Sequence, residues 1–137
     1  MSIVQNRNRL VIELLSKAKY ATIKQIAELF FTGVKNEEQR YNKAWFHLKK
    51  MTEQGLIYRS KLPGDYYIYS LQPFTYHAGI QRYLDLVDEL IKINGLAEGK
   101  LIWEIDGKKA DLWAKDNRQE WLVNYVNSVI QWKQGSD

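Results

Sequence analysis

The sequence predicts an α+β protein in which three helices and a β-hairpin are followed by a helix, a second hairpin and a last helix. Segments with apolar residues at helical spacing begin at capping residues and end near glycine. Between them, short segments rich in tyrosine, tryptophan and isoleucine flank turn residues, which is typical of hairpins. A chain of 137 residues suffices for one core or two small ones. We place a domain boundary between residues 74 and 75.

The first two helices are defined by their spacing and their ends. Apolar residues three and four positions apart predict the first helix over residues 3–18. Thr22 and Gln25 have the spacing of a capping box, which indicates where the second helix begins. Thr32-Gly33 ends this helix, because glycine tolerates the left-handed conformation of a helix cap.

A third helix and a hairpin follow. Asn36 and Gln39 repeat the capping spacing, and the helix runs to Gln54, where Gly55 stops it. The β-rich segments IYRSKL and YYIYSL are separated by Pro63-Gly64-Asp65, whose residues suit a tight connection between antiparallel strands. Three helices followed by a hairpin are the order of a winged helix-turn-helix, in which the third helix enters the DNA major groove.

The charge is concentrated in the part of the chain with this order. Residues 1–75 hold 12 Lys or Arg against 6 Asp or Glu, whereas residues 76–137 hold 8 against 10. A basic N-terminal half indicates a polyanionic partner, and we expect double-stranded DNA. The alternative is that the lysines only solvate a surface.

The third helix has a polar arc opposite its apolar arc. Gln, Asn and Arg pair with base edges and Lys suits phosphates, so this arc matches a recognition helix; the alternative is plain solvation. Phe46 on the same arc needs a partner, such as a wing residue, a thymine methyl or another subunit. The predicted DNA-binding residues are Asn36, Gln39, Arg40, Lys43, His47 and Lys50 on the helix, with Arg59 and Lys61 on the wing.

The C-terminal part, residues 75–137, predicts an extension for dimerisation or partner binding. A fourth helix, closed by Asn94-Gly95, carries an apolar stripe that we interpret as a homodimer interface, with plain core as the alternative. The stripe consists of Ile80, Leu84, Val87 and Ile91. A wide apolar band over residues 117–133 predicts a last amphipathic helix.

The second hairpin raises the question of catalysis. KLIWEI and KKADLWA flank Asp106-Gly107, so Glu104 and Asp111 are expected on neighbouring strands. A metal-dependent nuclease needs such an acidic pair, followed by an acidic residue and a lysine on the next strand. Here Lys115 lies four positions beyond the acid rather than two, so we interpret the hairpin as structural and expect no catalytic residue.

Composition excludes several other classes. The chain has no cysteine, so disulfides and thiolate chemistry are excluded, and two distant histidines make a poor zinc site. We expect neither a metal nor another cofactor. No run approaches the roughly 18 apolar residues of a membrane span, and the first segment lacks the apolar stretch of a signal peptide. We therefore expect a cytoplasmic protein with no membrane partner.

Several motifs resemble known regulators. TIKQIAELF and LKKMTEQGLIYR stand where winged-helix proteins have the second helix and the end of the third. With YHAGIQRYL, LIWEI and ADLWA, residues 8–115 resemble the replication-relaxation family of plasmids and other mobile elements. The resemblance implies a DNA transaction of a mobile element, or its regulation.

The resulting hypothesis is a sequence-specific DNA-binding homodimer without catalysis. Its expected role is transcription regulation, or replication or maintenance of a plasmid, phage or other mobile element. Two alternatives stay open. One is a metal-dependent nuclease-like protein with a winged-helix targeting module, and the other is a winged helix that binds protein rather than DNA.

Overall fold

The structure, a computed structural model, describes residues 2–62 and 66–134. These residues form four helices and two antiparallel sheets, which confirms the α+β prediction. The chain divides into two compact units, Met1–Ile80 and Gln81–Asp137. The elements in chain order are α1 (Ile3–Ala18), β1 (Ala21–Thr22), α2 (Ile23–Phe30), α3 (Glu37–Glu53), β2 (Tyr58–Lys61), β3 (Tyr67–Ser70), α4 (Ala78–Leu96), β4 (Ile102–Ile105), β5 (Leu112–Lys115), β6 (Glu120–Val126) and β7 (Val129–Gln134).

Side-chain caps fix where the first two helices begin. The Thr22 hydroxyl accepts from the Gln25 amide at 3.1 Å, and the Gln25 side chain accepts from the Thr22 amide at 3.0 Å. This reciprocal pair is the predicted capping box. Ser2 and Gln5 form a second box at the start of α1, which was not predicted. Each box satisfies amides that the first helical turn leaves without partners.

The helix ends agree with their predictions to within a few residues. α1 spans the predicted residues 3–18. α2 ends at Phe30, two residues before the predicted Thr32-Gly33. α3 ends at Glu53 with its cap at Gln54, as predicted. Gly55 follows at φ 75°, in the left-handed region that favours glycine, so it stops the helix as expected.

The core of the first unit takes one face from each of its three helices. Leu14 of α1, Ile26 of α2 and Leu48 of α3 are all buried. Burying a side chain of this size stabilises the fold by about 1.5–3 kcal/mol. The opposite faces of the helices are left for solvent or for a partner.

The first sheet contains the predicted hairpin. Its strand order is β1-β3-β2, with both pairs antiparallel. Arg59 of β2 is paired with Tyr69 of β3, and Tyr69 is also paired with Ala21 of β1. The predicted turn, Pro63-Gly64-Asp65, lies outside the described residues.

The second unit contains most of α4 and a four-stranded antiparallel sheet of order β4-β5-β6-β7. The predicted fourth helix is present and continues one residue beyond Asn94-Gly95. The predicted second hairpin is present as β4 and β5, which pair Glu104 with Trp113. Its connection covers residues 106–111, so it is longer than the two-residue Asp106-Gly107 turn that was expected.

One face of this sheet is covered. Cross-strand pairing aligns Ile105, Leu112 and Val123, and all three are buried. A polar contact also joins α4 to the sheet, because the Tyr125 hydroxyl donates to Asp85 at 2.9 Å. The second unit therefore has a small core of its own.

The predicted last helix over residues 117–133 is wrong, because this segment forms the hairpin β6-β7. Along the first half of β6, buried and half-buried residues alternate, as the two-residue period of a strand requires. Asn127 and Ser128 form the turn, with φ of 51° and 64°. Positive φ at both central residues is the conformation of a type I′ turn, which joins antiparallel strands. The segment's valines and aromatic residues also favour a strand.

Candidate nucleic-acid interface

α3 has an exposed side opposite the side that closes the core. Ala44, Leu48 and Met51 are the buried residues of this helix. At about 100° per residue, four exposed side chains fall within an arc of roughly 60° on the far side. We call this arc the outer face; it consists of Gln39, Lys43, Phe46 and Lys50.

Two predicted DNA-binding residues are instead engaged within the protein. The Asn36 side chain caps α3 by accepting from the Gln39 amide at 3.0 Å. Arg40 donates through Nε to the Val34 carbonyl at 2.8 Å and through Nη2 to the Lys35 carbonyl at 3.4 Å. These contacts fasten the loop before α3. Gln39 and Lys43 are left as the candidates on this part of the helix for reading bases.

The two candidates on the hairpin differ in exposure. The Arg59 guanidinium lies over the Tyr67 ring, with 4.4 Å from its central carbon to the ring centroid. Its Nη1 is buried without a hydrogen-bond partner among the described residues. Burial raises the pKa of the neighbouring Tyr69 phenol to about 12, an effect that Arg59 opposes. Lys61 is exposed, so it is the better placed of the two to meet a phosphate.

A groove between α1 and α3 borders the outer face. Its volume is about 360 Å³, within the range of small ligand sites. We call it the α1–α3 groove. The residues that define it are Arg7 and Asn8 of α1 with Lys43, Phe46, His47 and Lys50 of α3. Three of these residues are cationic, and no acidic residue in the described part of the chain lines the groove.

Aromatic rings form part of the wall of the groove. Phe31 is buried, and the Arg7 guanidinium carbon lies 4.2 Å from its ring centroid. The His47 ring meets Phe31 edge to face, with 5.9 Å between centroids. Phe46 also lines the groove but is 60% exposed, so its ring stands at the mouth.

The groove also holds two polar atoms with unused hydrogen-bonding capacity. Asn8 Oδ1 and His47 Nε2 are buried and have no partner within residues 2–62 and 66–134. Burial lowers the pKa of His47, and the positive charges of Arg7 and Lys50 lower it further. The imidazole is therefore neutral at neutral pH. The groove as a whole suits an anion that has an apolar face and a hydrogen-bonding edge.

Arg7 and Asn8 were missing from the predicted site, although the sequence contains a signal for them. They lie four and three residues before Val11, on the stripe of α1 that buries Val11 and Leu15. A polar pair at the start of an otherwise apolar stripe is unexpected if that stripe only packs. This interruption marks the place where the core ends and the groove begins.

The predicted dimer stripe is largely covered within a single chain. Ile80, Leu84 and Val87 are buried, and Ile91 is half-buried. The first three therefore offer almost no surface to a second copy of the chain. Their burial agrees with the alternative interpretation, in which the stripe is part of the core. Among the four, only Ile91 has appreciable exposed surface. Self-association itself stays a prediction.

The acidic residues of the second hairpin are held by neighbouring groups. Asp111 accepts from Arg82 Nη2 at 2.7 Å and from the Tyr125 amide at 2.6 Å. The Glu104 carboxylate lies against Gly107, where a Cβ atom would overlap it. In the described ranges, no three residues among His, Asp and Glu come together as metal ligands. Asp111 therefore acts as an acceptor within the fold.

Compared with known proteins, the chain matches no family model, no curated protein and no solved structure. None of the helices described is both long and apolar enough to cross a membrane. Function is therefore inferred from the chemistry of the outer face and the α1–α3 groove.

Proposed function

We propose that the protein binds double-stranded DNA in a sequence-specific manner, through a winged helix-turn-helix in residues 1–74. The observation that carries this proposal is the outer face of α3. α3 has 17 residues and is about 25 Å long, and it exposes Gln39, Lys43 and Lys50 to solvent on one side. A glutamine amide suits adenine and a lysine suits guanine or phosphate, so this face has the chemistry of a recognition helix.

Charge and the first sheet support the same proposal. Lysine and arginine exceed aspartate and glutamate by 12 to 6 in residues 1–75. Such an excess attracts the phosphate backbone whatever the base sequence. The hairpin of β2 and β3 follows α3 directly and has Lys61 exposed on β2, as a wing that touches the backbone would require.

The biological role that we propose follows from the resemblance to the replication-relaxation family. It is regulation of transcription, or a replication or maintenance function, in a plasmid, phage or other mobile element. We also propose that the protein acts as a homodimer, because one small winged helix makes few base contacts and two half-sites raise specificity.

A selection experiment tests DNA binding. Purified protein is incubated with a random pool of duplexes at low salt, and bound fragments are enriched and sequenced. We expect one motif to emerge, bound with an affinity whose logarithm falls linearly with the logarithm of salt concentration, because each neutralised phosphate releases counterions. A folded sample that retains no duplex at low salt would instead support the protein-binding alternative.

Alanine variants separate base reading from backbone contact. Gln39→Ala and Lys43→Ala should each cost about 1–3 kcal/mol at the selected site and relax the motif. Lys50→Ala and Lys61→Ala should weaken all duplexes alike. Equal effects of both groups on selected and random duplexes would mean that α3 does not read bases.

Arg40 supplies a contrasting variant on the same helix. Because its guanidinium bonds to the carbonyls of Val34 and Lys35, Arg40→Ala should lower the free energy of unfolding by about 1.5 kcal/mol. The motif selected by the folded variant should not change. A changed motif would show that Arg40 leaves these carbonyls to read DNA.

A further inference from the structure

The α1–α3 groove has features that contact with an intact duplex does not require. It combines cations without acids, an exposed aromatic ring at its mouth and two buried polar atoms without partners in the described chain. A recognition helix that only enters a major groove needs the cations, but it needs neither the exposed ring nor the buried polar atoms. The groove adjoins the outer face, so an inference about its ligand rests on the proposed DNA binding.

The cations of the groove suit a phosphate group. Arg7 approaches from α1, and Lys43 and Lys50 approach from α3. Stacking on Phe31 helps to fix the Arg7 guanidinium in place. Hydrogen bonds between such cations and phosphate oxygens are charge-assisted and stronger than neutral ones. Without an acidic lining residue in the described chain, nothing there compensates these charges.

The aromatic ring at the mouth suits a base. Phe46 is 60% exposed, and it lies between Lys43 and Lys50 along the helix. Aromatic side chains flanked by cations are the usual stacking platforms of proteins that bind single strands. A base inside a duplex has both faces covered by its neighbours, so stacking a paired base on this ring costs unstacking energy that an unpaired base does not cost.

The two polar atoms suit the edge of that base. Asn8 Oδ1 can only accept a hydrogen bond, whereas Nε2 of a neutral His47 can donate or accept. Burying such atoms without partners is costly, so a ligand towards which the half-buried Asn8 and His47 side chains turn gains affinity. The edge of a nucleobase carries N–H donors and ring or carbonyl acceptors close together.

We infer that the α1–α3 groove binds one unpaired nucleotide of a DNA strand. The phosphate lies at Arg7 and Lys43. The base stacks on Phe46 and turns its edge towards Asn8 and His47. DNA that already contains an unpaired nucleotide then binds more tightly than a perfect duplex, because no base pair has to be opened.

The test compares three labelled DNAs of one sequence by fluorescence anisotropy with the full chain. They are a perfect duplex, a duplex with one bulged nucleotide and a single strand. The wild type should bind the bulged duplex about tenfold more tightly than the perfect one. Phe46→Leu keeps an apolar side chain but loses the ring, and should bring the two affinities to within about twofold.

Asn8→Ala provides a second variant, away from the outer face. It should bring the affinities for the bulged and the perfect duplex to within about twofold of each other. Ser16→Ala, at an exposed position on the same helix, should keep the preference of about tenfold. 2-Aminopurine at the bulged position reports stacking directly. Its fluorescence should change on binding to the wild type and not on binding to Phe46→Leu.

The outcomes distinguish this inference from the proposed function. Equal wild-type affinity for perfect and bulged duplexes would overturn the inference and leave duplex binding intact. Failure to bind all three DNAs would overturn both. Free deoxyadenosine monophosphate, followed through the NMR signals of Asn8 and His47, should bind far more weakly than the bulged duplex. If it binds as tightly, the groove serves a free nucleotide and the inference is wrong.

Discussion

Nη2 of Arg82 donates to the Asp111 carboxylate at 2.7 Å and so joins α4 to the residue that precedes β5. The same nitrogen donates to Asp106 at 2.6 Å, and the hydrogen bonds to Asp106 and Asp111 raise the pKa of Arg82 above its ordinary value. Asp111 in addition accepts from the Tyr125 amide. One carboxylate thus links the helix, the second hairpin and β6.

Loss of this carboxylate should destabilise the second unit. Asp111→Ala removes acceptors from Arg82 and from the Tyr125 amide, and should lower the free energy of unfolding by about 1.5–3 kcal/mol. Asp111→Asn should cost less, because its side-chain oxygen can still accept from Tyr125. Urea denaturation measures both. Lys108→Ala, an exposed control in the same connection, should stay within about 0.5 kcal/mol of the wild type.

The nuclease alternative requires Glu104 and Asp111 to share a metal ion. Because Asp111 is held by Arg82, we expect magnesium or manganese to produce no nicking of supercoiled plasmid by the wild type. Glu104→Ala is the informative variant, since it leaves the Arg82 contacts in place. Metal-dependent nicking that disappears in Glu104→Ala, with DNA affinity retained, would make this protein an enzyme.

The burial of the α4 stripe changes how the dimer prediction is tested. Leu84→Asp would place a charge in the core and should unfold the protein rather than separate two subunits. Ile91→Asp changes the half-buried member of the stripe and should leave a folded monomer where the wild type sediments as a dimer. A folded Ile91→Asp variant that remains dimeric would exclude this stripe as the dimer interface. A wild type that is monomeric at micromolar concentration and on its DNA would overturn the dimer itself.

His47 should make stability depend on pH. Burial and the charges of Arg7 and Lys50 lower its pKa from 6.5, so just below pH 6.5 the unfolded state binds more protons than the folded state. The free energy of unfolding should therefore fall as pH decreases from 6.5 through the folded pKa. His47→Gln should remove this part of the slope in urea titrations at several pH values. An NMR titration of His47 with a midpoint at or above pH 6.5 would contradict the lowered pKa and the pH dependence that follows from it.

The elements of the first unit were predictable because their signals are local. A capping box places Thr22 and Gln25 three residues apart, so the sequence alone reveals it. The α1–α3 groove was not predictable in the same way, because Arg7 meets His47 and Lys50 only after three helices have packed. The contacts that Arg40 and Arg59 make within the protein could not be predicted from the sequence for the same reason. A basic side chain on a surface arc can bend back to bond a carbonyl or to cover a ring.

The error in the last segment has a different cause. Tryptophan, valine and tyrosine recur so often between residues 117 and 133 that a helical period fits as well as a strand period. In such a band, turn chemistry and β propensity have to decide. The local signal for the hairpin is the turn pair Asn127-Ser128, because asparagine is favoured at positive φ.

Substitutions at that turn distinguish a hairpin from a helix, because the two structures predict opposite orders of stability for glycine and alanine at position 128. Ser128 has φ 64°, where a Cβ atom costs about 1–2 kcal/mol and glycine avoids the cost. Ser128→Gly should therefore be more stable than Ser128→Ala by roughly that amount in urea denaturation. Both variants lose the hydroxyl, including its contact with Tyr125, so their difference isolates the backbone. In the interior of a helix the order reverses, with alanine ahead by about 1 kcal/mol. A more stable alanine variant would indicate that residues 117–133 form the predicted helix rather than the strands β6 and β7.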